Sequence, residues 1–146
     1  SGLNSHKAMS LIRNKNQILC RADFTTMKMG TIYPSDIDGI LDFGGEAFAI
    51  IEWKGCQTDV PLGQRILVER ITKTLAKSVP SITIVAEHGD IADNLFDGGN
   101  ALVVMYYHKG RWRHPASTTT VNEAIRHFLN FEGEHNAALQ RYTKPV

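Results

Sequence analysis

This chain is poor in cysteine: of its 146 residues only Cys20 and Cys56 are thiols. Two cysteines do not make a disulfide framework, and neither sits in a CxxC or Cys/His spacing that suggests zinc. They read as free thiols in a reducing compartment. An apolar run of about 18 residues, enough to cross a membrane, is missing. So is a signal-peptide pattern. A soluble intracellular protein with no membrane partner is expected. Charge of one sign is scarce too. The net charge of +1 excludes a molecule that attracts nucleic acid by its global field, so any basic binding face must be local. Internal repeats and low-complexity tracts are also lacking.

What remains is ordinary globular material. Hydrophobic residues make up 42 % and charged residues 21 %, enough for one compact domain over 1–146. Residues 3–16 fit a short amphipathic helix. Gln17 to Phe24 and Lys28 to Tyr33 read as short strands flanking a turn. Ile37 to Phe43 and Ala47 to Lys54 read as a hairpin across Gly44-Gly45-Glu46, where glycine supplies the positive φ that such turns need. Ile66, Leu67, Ile71, Leu75 and Val79 recur at helical steps over about 62–79, and Pro80 stops that helix. Ser81–Glu87 and Ala101–His108 read as buried strands, with Gly110 turning the second into Arg111-Trp112-Arg113-His114. Thr118 to Thr120 cap a helix reaching about Phe131 on Val121, Ala124, Ile125, Phe128 and Leu129. Residues 135–142 read as one more helix or a tail. A long helix between strands implies a crossover. The expected fold is therefore α/β, with a central mixed sheet flanked by helices.

The hairpin, residues 34–54, carries charge where strand neighbours are apolar: Asp36, Asp38, Glu52 and Lys54. Strand side chains alternate faces, so Glu52 and Lys54 share one with Phe48 and Ile50. A three-residue turn over 44–46 places residue 40 opposite 50, 38 opposite 52 and 36 opposite 54. A four-residue turn slips the register by one and puts Asp38 on the face of Trp53. In the first register two carboxylates meet. They repel, so one stays protonated unless a cation separates them. Oxygen ligands of this kind suit Mg²⁺ or Mn²⁺. Such a metal activates a water, and a nearby ammonium stabilises charge on a phosphate transition state. A plainer account exists: a solvated strand face with a cross-strand ion pair from Asp36 or Asp38 to Lys54.

Pro34-Ser35-Asp36-Ile37-Asp38-Gly39, followed by Glu52-Trp53-Lys54 and by Gly63-Gln64-Arg65 at a helix start, resembles the PD-(D/E)xK, or restriction-endonuclease-like, nuclease superfamily. The likeness is to small phage-type members and covers roughly residues 30–86. It implies a hydrolase that cuts DNA phosphodiesters with Mg²⁺, for which Mn²⁺ substitutes. Asp38 and Glu52 would hold the metal, helped by the backbone carbonyl of Trp53. Lys54 would assist the attacking water and touch the scissile phosphate, and Gln64 would place the lysine, the water or the substrate. The motif's Pro-Asp is split by Ser35, which leaves Asp36 as a supporting candidate. Many members also carry a Glu on the first helix; residues 3–19 hold no acid, so that ligand is missing or comes from elsewhere, with His6 and Asp23 as the candidates.

Residues 108–114 (HKGRWRH) form the most basic stretch. Lys109, Arg111 and Arg113, with Arg65 on the long helix, are candidates for DNA phosphates, and Trp112 for stacking on a base. An exposed hairpin with Trp112 turned inward is the plainer alternative. GDIADNLFDGG, 89–99, lacks the EF-hand spacing and reads as a loop over the site. The partner expected is DNA, with RNA as the alternative. A homodimer is expected because one small site cuts one strand, and the resemblance places the protein in the cytoplasm of a bacterial or phage-infected cell. The competing class is a catalytically inactive nucleic-acid- or protein-binding domain of the same fold. A further alternative is an unrelated α/β binding protein whose hairpin acids are surface charges.

Overall fold

A computed structural model describes residues 22–56, 58–89 and 95–143. The expected first helix, Cys20 and His6 lie outside them. The chain forms two compact units, divided between Ser35 and Asp36. In the described part of the first, the Asp23 carboxylate accepts from the amide and hydroxyl of Thr25 at 3.0 and 2.8 Å. Those two bonds hold its carboxyl below the usual range. Lys28–Tyr33 is not a strand. Gly30 takes a left-handed φ of +62° and reverses the chain at once, leaving a single bridge between Met29 and Ile32.

The second unit is built on one five-stranded sheet. Its strands are β1 (Gly39–Asp42), β2 (Phe48–Lys54), β3 (Ser81–Glu87), β4 (Leu102–His108) and β5 (Arg111–Arg113), in that spatial order. Only β2 and β3 run parallel; the other pairs are antiparallel. The sheet is mixed, as the crossover required, because helix α1 (Leu62–Ala76) carries the chain from β2 to β3. Helix α2 (Val121–Gly133) and a 3₁₀ turn at Ala137–Tyr142 follow β5. Among the described residues no helix is long and apolar enough to cross a membrane.

Alternation along β2 divides the core. Ala49 and Ile51 point with Ile82, Ile84 and Val103 to the face covered by Val121, Phe128 and Leu129 of α2. Ile50, Glu52, Thr83 and Val85 point to the other face, under α1. The most buried positions of α1 are Val68 and Thr72, whereas Ile66, Leu67, Ile71 and Leu75 are only half-buried. A polar residue takes the contact because it is satisfied there. The Thr72 hydroxyl donates to the Val68 carbonyl at 2.7 Å and lies 2.5 Å from that of Thr83. The helix stops at Ala76, three residues short of the expected end, as the next amides fall back on Thr74 and Leu75.

Helix α2 starts where its capping sequence places it. The Thr120 hydroxyl accepts from the Glu123 amide at 3.2 Å, and the Glu123 carboxylate accepts from the Thr120 amide at 3.4 Å. Thr120→Ala removes one half of this box. Urea unfolding of Thr120→Ala is expected to show a loss of about 1 kcal/mol; an unchanged midpoint would mean that packing alone sets the helix start.

Candidate active site

The hairpin turn decides which side chains meet. The Phe43 amide donates to the Ala47 carbonyl at 3.0 Å, closing a three-residue turn over 44–46. Gly44 and Gly45 adopt φ of +63° and +77°, which residues with a Cβ rarely do. Asp42 caps the turn, its carboxylate accepting from the Gly45 amide at 2.6 Å. The resulting register pairs Ile40 with Ile50 and Gly39 with Ile51. One step further, Asp38 and Glu52 come together. The Asp38 amide donates to Glu52 Oε1 at 3.3 Å, and the Trp53 amide donates to Asp38 Oδ2 at 2.9 Å. Each carboxylate is thus held by the backbone of the other strand.

Glu52 is 6 % exposed, while Asp38 lies open to solvent. Burial raises the Glu52 carboxyl above its usual value, and the Asp38 charge raises it further; hydrogen bonds from the Asp38 amide and from Gln64 oppose the shift. Among the described residues no cationic side chain lies within 4.0 Å of either carboxylate. Nor do three or more His, Cys, Asp or Glu residues there cluster as a metal site. The donor set is two carboxylates, one buried and one open.

Gln64 sits in the first turn of α1, where the sequence put it. Its amide donates to the Asp36 carbonyl and bonds Glu52, tying the helix to the segment before β1 and to β2. Asp36 thereby enters through its backbone.

Lys54 shares the face of Glu52, but among the described residues its ammonium pairs with neither of the two acids. Its Nζ donates to the Thr58 carbonyl and lies 3.3 Å from Glu87 Oε1, with the side chain 12 % exposed. The parallel register explains this, since it sets Lys54 directly beside Glu87 at the end of β3. Neither Thr58 nor Glu87 was among the candidates. The acid closing the apolar run SITIVAE was the one available signal, and it points nowhere without the parallel register.

Trp53 faces the other way. Its indole donates to the Gly98 carbonyl at 3.0 Å and meets Phe96 edge-on at 5.7 Å. A Cβ on Gly98 would lie 2.8 Å from the ring. So residues 95–98 lie over Trp53 on the face opposite Glu52, and not over the acids as expected.

The basic stretch divides between the two faces. Trp112 pairs with Tyr107 on the face of Glu52, and the Arg65 guanidinium stands 5.0 Å from its ring centroid. Arg111 and Arg113 pair with His108 and Tyr106 on the other face, and Lys109 turns the hairpin with φ of +52°.

Compared with family models, curated proteins and solved structures, the chain matches none.

The raised Glu52 carboxyl sets a sign for stability. The folded state binds this proton more tightly than the unfolded state. Its contribution is full below the ordinary value of 4.5 and is lost as pH rises through the higher native value. At neutral pH the ionised, buried group costs stability. Glu52→Gln is therefore expected to raise Tm at pH 7 in EDTA, with the gain shrinking towards pH 4. Melting curves across that range check it, and a lower Tm for the variant at pH 7 would refute it.

Proposed function

We propose that the chain is a divalent-metal-dependent nuclease hydrolysing DNA phosphodiester bonds at the open end of the hairpin. The observation that carries this reading is the pairing of Asp38 with a buried Glu52, with no cationic side chain among the described residues within 4.0 Å of either. Two such carboxylates call for a cation. Mg²⁺ suits a site of this kind, because it keeps several waters and binds through one or two carboxylates plus substrate phosphates. A cluster of three protein ligands is not required. Mn²⁺ is expected to substitute.

Asp38 and Glu52 would hold the metal, with the Trp53 carbonyl as a further ligand. When bound, the metal lowers the pKa of a coordinated water and screens the phosphate charge. Lys54 supplies a fixed positive charge to a non-bridging phosphate oxygen. Glu87 and the Thr58 carbonyl restrain its ammonium, which has three donors, so one is left for substrate. Gln64 keeps the start of α1 against the hairpin. Arg65 and Trp112 extend the same face and would meet a phosphate and a base of DNA. A homodimer would bring two such sites to the two strands of a duplex.

A second reading, a metal- or nucleic-acid-binding domain of the same fold without catalysis, is favoured by one observation. Lys54 is engaged by Glu87 and Thr58, and among the described residues it pairs with neither of the two acids.

Cleavage of plasmid and oligonucleotide DNA with Mg²⁺ or Mn²⁺ separates the two. Under the first reading Glu52→Gln and Lys54→Ala each lower the rate at least about a hundredfold. Cleavage that survives both substitutions would refute the site. Mg²⁺ binding with no cleavage on any substrate would establish the second reading instead. Glu87→Gln is expected to lower the turnover rate by roughly tenfold with the metal requirement unchanged. Equal turnover in that variant would show that Lys54 needs no such restraint.

A further inference from the structure

We infer that the face of the sheet opposite the hairpin acids carries a second binding site, which takes an aromatic ring bearing a phosphate, as in a nucleotide. The sheet is not fully covered there. Between β4, one side of α2 and residues 115–119 lies a cavity of about 570 Å³. Protein interiors hold few voids larger than a water molecule, and this volume is that of a small-molecule site. Its floor is Ile82, Val103 and Phe128, each under 9 % exposed.

Three features select the ligand. First, the walls are aromatic, and their rings are held. His108 meets Phe128 and Phe131 edge-on at 5.4 and 5.8 Å, while its Nε2 is 2.8 Å from Glu132 Oε1. A flat π-face fits such walls better than a flexible alkyl chain does. Second, the mouth is cationic. Lys109, Arg113 and His127 line it, and the Lys109 ammonium sits 4.8 Å from the Phe131 ring centroid. Among the described residues none of the three has a carboxylate within 4.0 Å, and Glu132, the nearby acid, is engaged by His108. A guanidinium and an ammonium at one mouth suit a phosphate. Third, Ser117 and Thr119 add hydroxyls to an otherwise apolar wall; the Thr119 hydroxyl donates to the Ser117 carbonyl at 2.7 Å, which leaves its oxygen to accept from the polar edge of a heterocycle. The site shares no residue with the hairpin site and stands whether or not that site cleaves DNA.

Titration of the intact chain with adenosine monophosphate, followed by calorimetry and by amide chemical shifts, tests this. Saturable binding is expected, with shifts on Tyr106, Phe131 and Thr119. Arg113→Gln and Phe131→Ala should each weaken it, Arg113→Gln by roughly tenfold. Both side chains are partly exposed, and unchanged circular dichroism would show that the variants fold. Adenosine and inorganic phosphate should each bind more weakly than the nucleotide. A short single-stranded oligonucleotide in place of the mononucleotide separates the two sources of the ligand: tighter binding that still needs Arg113 assigns the site to a strand, and weaker binding to the free nucleotide. No saturation at millimolar nucleotide would overturn the inference. So would binding that ignores Arg113 and Phe131 but is lost in Lys54→Ala, or phosphate alone binding as tightly as the nucleotide.

Discussion

The pairing of the two carboxylates at the candidate site depends on one short turn. Closing the hairpin with three residues sets Ile40 against Ile50, and the same count brings Asp38 to Glu52. Because strand side chains repeat every second residue, one extra residue would reverse all of it. Asp38 would fall on the side of Trp53, and Glu52 would lose its backbone amide donor, keeping only Gln64. Gly44 and Gly45 make the short turn possible, and Asp42 holds it. The chemistry at one end of the hairpin is set by backbone conformation at the other.

The sheet separates two kinds of surface. On one face α1 covers Ile50, Thr83 and Val85 and leaves an acidic edge beyond them. Glu52 carries the strain of that edge, since burial and a like charge both disfavour its ionised form. Such a group costs stability at neutral pH, where it is ionised. On the other face α2 packs tightly around Phe128 and Leu129 yet leaves a pocket towards β5. Basic residues gather at that mouth, while the acids of the hairpin stay on the far side.

Much of this organisation was readable before any coordinates. The hairpin, the crossover helix, the strands SITIVAE and LVVMYYH and the capped helix α2 announced themselves through period, turn residues and Pro80. So did the pairing of Asp38 with Glu52, once a turn length was chosen. What escaped was set by contacts between distant segments. The parallel register of β2 with β3 is invisible locally, so Glu87 gave no sign that it would take Lys54. Thr72 was passed over because a hydroxyl looks wrong for a buried helix position until Thr83 supplies its partner. The stretch HKGRWRH was legible in part, since alternation alone puts Arg111 and Arg113 on one face and Trp112 on the other, as the β4–β5 register does; which face meets α1 was not. Lys28–Tyr33 had the composition of a strand, and a single left-handed glycine overrode it.

The one parallel strand pair also orders events in time. Asp38 and Glu52 lie fourteen residues apart and can meet as soon as the hairpin closes, a local event on the microsecond scale. Lys54 and Glu87 lie thirty-three apart, and the whole of α1 must be formed and docked before they touch. Contacts of such separation form late, because loop closure has to be paid for before they stabilise anything. During folding the acids are therefore assembled first and the lysine is restrained last, so a chain that has closed only its hairpin holds the carboxylates without a restrained Lys54.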